Sequence, residues 1–227
     1  MHRTARTIAA ATAALIAAQA SATPENFDLI DLSFAAGAGG IAEGLPLGPD
    51  IGFGFLFDEG SGSVSAQESN TFGSAMITLD YAARVEQTPD SLGLVIDLDS
   101  ETTLSFDPAA STGLIQATGS LDFIELIFTL DRPHFITGSG FGFDVFGLGG
   151  TPDAGPAGSH PIELGSGSYR ISLSSGIAVA DYSATPGIGE GTFIDSRTLR
   201  IDLNAVPAPS GAGLLALAGL AVARRRR

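Results

Sequence analysis

The sequence predicts an all-β protein: an antiparallel β-sandwich, jelly-roll-like, flanked by an N-terminal signal helix and a short C-terminal hydrophobic helix. Three observations predict it. Apolar residues recur at period two, turn-forming clusters separate those runs, and no stretch of the body carries a 3.6-residue apolar stripe. Many short strands without helices bury their apolar faces most simply as two packed sheets, and about twelve strands fit the body.

The first segment, 1–22, reads "MHRTARTIAAATAALIAAQASA". Arg3 and Arg6 precede an apolar run from Ile8 to Ala18, and Ala18, Ala20 and Ala22 supply small residues at its end. A basic start, a short apolar middle and a small-residue finish form the layout of a secretory signal peptide, cleavable after Ala20 or Ala22. Polar residues are too few on any face to make the segment an amphipathic helix of the fold.

The body spans 23–205. "FAAGAGGIAEG" at 34–44 follows a strand-like run, as a dinucleotide-binding loop would, but Pro46 and Pro49 forbid the helix that loop requires, so the segment is expected to be a flexible turn. "GFGFLF" at 52–57 is echoed by "GFGFDVF" at 140–146. The pattern sends Phe53, Phe55 and Phe57, and likewise Phe141 and Phe143, to one face, with glycines on the other admitting a close neighbour. A shared tetrapeptide in so Gly-rich and Phe-rich a chain is expected by chance, without a duplication. Turns are expected at "DEGSGS", 58–63, and "QTPDS", 87–91. Strands are expected where Ala75, Ile77, Leu79 and Tyr81 alternate with polar residues, and again at Leu92, Leu94, Ile96 and Leu98. The same alternation recurs at Ile124, Leu126, Phe128 and Leu130, and at Leu199, Ile201 and Leu203. The Gly- and Pro-rich segment 147–168 has no aromatic residue between Phe146 and Tyr169 and is expected to be disordered. Of the three tyrosines, Tyr81 and Tyr169 fall in apolar registers and are expected in the core.

Composition bounds the function. The 227 residues suffice for one domain with a real core. Lysine is absent, and 23–205 carries five arginines against twenty-five acids, a formal charge of −20. Such a surface repels phosphate backbones, so nucleic acid is not an expected partner. Cysteine is absent, which excludes disulfides and thiolate metal sites. His134 and His160 are the body's histidines, expected at the surface, and no G-x-S-x-G accompanies them. Zinc is therefore not expected, and no catalytic residue is assigned. Asp97, Asp99 and Glu101 alternate on one strand face and are weak calcium candidates; the competing expectation is a solvated acidic face.

The last segment, 206–227, is "VPAPSGAGLLALAGLAVARRRR". Gly211 to Ala223 is thirteen uncharged residues, about 20 Å as a helix against a hydrocarbon core of about 30 Å. That run stops in a membrane only marginally, and the four arginines, Arg224, Arg225, Arg226 and Arg227, stay on the cytoplasmic side. Pro207 and Pro209 hold the preceding stretch extended.

Proline motif, short Gly/Ala/Leu run and terminal arginines, in that order, resemble the PEP-CTERM sorting signal of exported Gram-negative bacterial proteins. The resemblance covers Val206, Pro207, Pro209 and Arg224 to Arg227, with Ala208 where the family usually has Glu, a VPxP variant. It implies recognition by an exosortase-type membrane enzyme and transfer from the inner membrane to the cell surface or extracellular matrix. The expectation is thus an exported, non-enzymatic surface protein, a substrate of signal peptidase and exosortase, with no cofactor apart from the calcium candidate. Alternatives are a carbohydrate- or calcium-binding sandwich, with extracellular polysaccharide as partner, and a hydrolase of extracellular polymers.

Overall fold

The structure of the chain, a computed structural model, describes residues 25–206 except 58, 89, 90, 174 and 175, with side chains described from residue 32 onward. Two antiparallel sheets account for all the strands among the described residues. The first runs β2 (Leu45–Leu56), β1 (Glu25–Ala42), β6 (Gly113–Leu130), β11 (Gly167–Leu173), β8 (Phe143–Leu148) and β9 (Gly155–Ala157), with β12 (Ile177–Ala184) also paired to β6. The second runs β10 (Ile162–Leu164), β7 (His134–Ser139), β13 (Gly191–Ala205), β5 (Ser91–Phe106), β4 (Gly73–Thr88) and β3 (Gly60–Ser69). The all-β class and the sandwich-like pair of sheets agree with the sequence. The signal segment 1–22 and all of the tail beyond Val206 lie outside the described residues.

Long strands organise each sheet. β6 pairs with β1 along its whole length, from Glu25 opposite Thr129 to Ala42 opposite Gly113. Its other edge is shared, with β11 set against 125–130 and β12 against 115–121. β5 lies between β4 and β13 in the second sheet, with Leu98 opposite Tyr81 on one side and Arg197 on the other.

Period two decides which side chains meet between the sheets. Phe34, Ile115, Leu121, Leu126 and Phe128 point inward from the first sheet; Ile77, Leu79, Leu94, Ile96, Leu98 and Leu199 answer from the second, all buried. Tyr81 and Tyr169 are buried as well. Phe34 and Tyr81 stack across the interface with ring centroids 3.8 Å apart and planes 10° apart. Tyr182 of β12 and Phe193 of β13 make a second inter-sheet stack, centroids 4.3 Å apart.

Both lateral edges of the sandwich are tied. On one side β2 lies against β3: the Gln67 N–H donates to the Asp50 carboxylate at 2.8 Å, and the Asn70 amide donates to the Leu45 carbonyl at 3.0 Å. Here a Cβ on Gly54 would sit 2.6 Å from the Tyr81 hydroxyl, and one on Gly62 2.4 Å from it, so two glycines grip one ring. On the other side the Gly138 N–H donates to the Gly158 carbonyl at 2.7 Å.

The segment expected to be a flexible turn at 34–44 is instead strand as far as Ala42, and only Glu43 and Gly44 turn. Its small residues weaken the alternation in sequence, but the ladder to β6 holds them extended. Glu43 turns with φ of 49° and Gly44 with 73°, both left-handed, as a two-residue hairpin demands. The Glu43 carboxylate anchors that corner by accepting the backbone N–H groups of Ser111 and Thr112. The segment 147–168, expected to be disordered, contains β9 and β10; backbone pairing with β8 and β7 orders it without any aromatic residue. His134, expected at the surface, is fully buried at the start of β7, with Nδ1 2.8 Å from the Arg132 carbonyl oxygen. That oxygen only accepts, so Nδ1 carries the hydrogen. The two GFGF copies diverge: Phe53 and Phe55 face solvent, whereas Phe143 is buried.

Two stability outcomes follow from this packing. Gly54→Ala drives a methyl into Tyr81 and should cost about 1–3 kcal/mol; part of that loss should disappear in a Tyr81→Phe background, as a double-mutant cycle by denaturant unfolding would measure. The Thr102 hydroxyl is buried with no hydrogen-bond partner among the described residues. Thr102→Val should therefore raise the unfolding free energy by about 1 kcal/mol.

Candidate functional site

The two outer faces differ in chemistry. On the second sheet most outward residues are hydroxyls and charges, with Val95 and Ile194 among the exceptions. Asp97 and Asp99 project from β5 as the alternation predicts, and each is engaged: Arg84 and Thr198 bond Asp97, and Ser196 donates to Asp99 at 2.6 Å. Asp99 also stands directly opposite Asp80 of β4, a like-charge pair that the sequence does not reveal because 19 residues separate the two. Glu101, the third calcium candidate, lies between Thr78 and Ile194. Among the described residues no three carboxylates or histidines converge as metal ligands.

Near the start of β5 the same face carries an ion network. Arg84 bonds Asp97 and Glu86, and Arg200 reaches Glu86 at 2.6 Å and both oxygens of Asp202 at 2.7 and 2.9 Å. Gly93 lets these groups lie across β5, since a Cβ there would meet Arg200 and Asp202 at 2.9 Å. Val95, outward in register, is buried next to them. Arg84 lowers the Asp97 pKa, aided by Thr198, and Arg200 lowers that of Glu86.

The first sheet's outer face is different. Ile51, Phe53, Phe55 and Phe57 form a row along β2 and just past its end, exposed by 57, 63, 55 and 69 %. Two of the three inward positions between them are glycine, the third being Leu56: a Cβ at Gly52 would sit 2.4 Å from the Ser65 carbonyl, as Gly54 would meet Tyr81. The Phe55 and Phe57 rings are near-parallel, centroids 6.4 Å apart. Beside this ridge, on β1, the outward residues are Ser33, Ala35, Gly37 and Gly39. Phe55 lies opposite Ser33, Phe53 opposite Ala35 and Ile51 opposite Gly37. Across β1 the far wall is Gln116, Thr118 and Ser120 of β6.

The result is a trough with a small-residue floor, an apolar ridge on one side and an amide and hydroxyl wall on the other. It deepens at the β1 bulge between Ala38 and Gly40 into a concavity of about 340 Å³ lined by Gly37, Gly39, Pro49, Ile51, Gln116 and Thr118. The ridge and floor residues are uncharged, but carboxylates border them: Asp50 lines the concavity and accepts the Gln67 N–H of β3, Asp122 accepts the Ser120 hydroxyl at 2.6 Å, and Asp181 of β12 lies opposite Thr118. What the arrangement offers is contact: apolar surface and neutral hydrogen-bonding groups.

The ridge was visible in the sequence as the Phe/Gly alternation of 52–57. The floor was not, because alternation between small residues has almost no hydropathy contrast. Of the tail residues, Val206 is described and donates its N–H to the Pro133 carbonyl at 3.0 Å. Pro207, Pro209 and Arg224 to Arg227 lie outside the described residues.

The ion network makes stability pH-dependent with a defined sign. Asp97 and Glu86 hold their protons less tightly in the folded state, so their stabilisation is complete above the ordinary carboxylate range, near pH 4, and is lost as pH falls through it. The melting temperature should be flat at neutral pH and drop below about pH 4, less steeply in Asp97→Asn or at high salt because these groups are exposed. Compared with known proteins, the chain matches no family, no curated protein and no solved structure.

Proposed function

We propose that this chain is an exported, non-enzymatic β-sandwich, sorted through its C-terminal tail to the cell surface or extracellular matrix. The single observation that carries the proposal is the pairing of a basic-apolar-small segment at 1–22 with the proline, apolar and tetra-arginine segment at 206–227. In this proposal 23–205 is the cargo, a jelly-roll-like sandwich between a signal helix and a tail helix. Signal peptidase acts on the first segment and an exosortase-type membrane enzyme on the second. The tail holds the chain at the inner membrane until it is cut.

The placement of the described ends supports this reading. β1 begins with Glu25 opposite Thr129, and β13 ends with Ala205 opposite His134, so both ends leave the sandwich at the pole carrying the 131–133 turn. A body tethered there through either terminal segment points its opposite pole, with the 43–44 hairpin, away from the tether. Its charge of −20 keeps such cargo solvated and discourages nonspecific pairing at strand edges.

Cell fractionation of the native host tests the proposal. Deleting 206–227 should move the protein from the surface fraction into the medium or the periplasm, and replacing Arg224 to Arg227 with serine should slow its tail processing. Wild-type protein recovered from the cytosol with 1–22 intact would reject the proposal.

A further inference from the structure

We propose that the outer face of the first sheet is a homotypic docking surface, on which a second copy of this chain packs about a two-fold axis. The proposal is independent of how the termini are read.

Six of the nine exposed large hydrophobic residues described, Ile41, Ile51, Phe53, Phe55, Phe57 and Leu114, stand on the outer side of β1, β2, β6 or the residue just past β2. The rest of the body is dominated by acids. Two copies carrying −20 each repel one another over most of their surface, and they meet without opposing carboxylates only where the outward side chains are neutral. The ridge and trough are such a place.

Shape selects a second copy over other occupants. Ridge (Ile51, Phe53, Phe55, Phe57) and trough floor (Ser33, Ala35, Gly37, Gly39) are each four residues at period two. Three of each run side by side in direct register, Ile51 with Gly37, Phe53 with Ala35 and Phe55 with Ser33, about 4.8 Å apart. A two-fold axis parallel to the strands and midway between β1 and β2 turns the face over so that each ridge lies above the other copy's trough. Phe53 of each copy then stands over Ala35 of its mate, and Phe55 over Ser33. Such an isologous contact uses one patch twice and closes at two copies. The four ridge residues leave roughly 450 Å² in water, more than half of the ~800 Å² per partner of a stable interface, and the Ile41 and Leu114 end adds to it.

Sedimentation equilibrium of the full chain in density-matched detergent tests this, with any tail contact common to all variants. Wild type should show a monomer–dimer equilibrium that tightens as salt rises from about 0.05 to about 0.5 M, because screening removes the repulsion. Phe53→Ser with Phe55→Ser removes the ridge, and Ala35→Gln fills the trough; each should weaken the dimer by about 10-fold or more at unchanged melting temperature. Ile51→Ser with Phe57→Ser, at the two ends of the ridge, should do the same and stands in if the first ridge variant fails to fold. Mixing ridge and trough variants should restore a heterodimer tighter than either homodimer, since one intact ridge still faces one intact trough. Dimers unaffected by all three variants, or a mixture no tighter than its components, would overturn the two-fold assignment. Wild type that stays monomeric at about 0.1 mM, or that shifts only when a neutral glucan or lipid vesicles are added, would give the face to another occupant and overturn the proposal.

Discussion

The grip of Gly54 and Gly62 on Tyr81, with Phe34 stacked on the same ring, is the constraint from which the rest of the molecule follows. The two sheets come close enough at the β2–β3 edge for backbone to touch aromatic ring, and only residues without a side chain permit that approach. With glycine at the inward positions 52 and 54 of β2, the pleat sends the intervening residues outward, and those residues are Ile51, Phe53 and Phe55, with Phe57 following past Leu56. Core closure and surface ridge are thus two sides of one strand. An edge that is tight within leaves large apolar groups in water without.

Electrostatics divides the two faces in a complementary way. The second sheet collects Arg84, Glu86, Asp97, Arg200 and Asp202 into a network laid over Gly93 and Val95, and backs the rest of its surface with serine and threonine. The first sheet keeps the ridge and trough floor on β2 and β1 neutral. With only five arginines to balance twenty-five acids, most carboxylates are left to solvent, and contact over the neutral ridge and trough floor desolvates little charge.

Much of the fold could be read from period two alone. Ile77, Leu79, Leu94, Ile96, Leu126 and Leu199 all face inward, because their alternation has strong hydropathy contrast and each strand has one dry side. The misreadings share a cause. "FAAGAGGIAEG" has little contrast between Ala36 and Gly37, so its local signal is that of a turn, while its true state is set by β6, seventy to ninety residues away in sequence. The 147–168 segment likewise gains order from β7 and β8 rather than from its own side chains. His134 is buried because it opens β7 between β10 and β13, a placement no local pattern encodes.

By itself the sequence determined the strand class, the inward residues of the high-contrast strands, the charge of the body and the composition of both terminal segments. Composition and period are properties of single strands and need no partner. Tertiary structure alone decided that small residues of β1 lie beside aromatic residues of β2, that Asp80 faces Asp99, and that two identical tetrapeptides meet opposite fates. Each of these depends on which strands are neighbours and in what register. Register is set by the summed fit of whole sheets, so no short stretch of chain contains it.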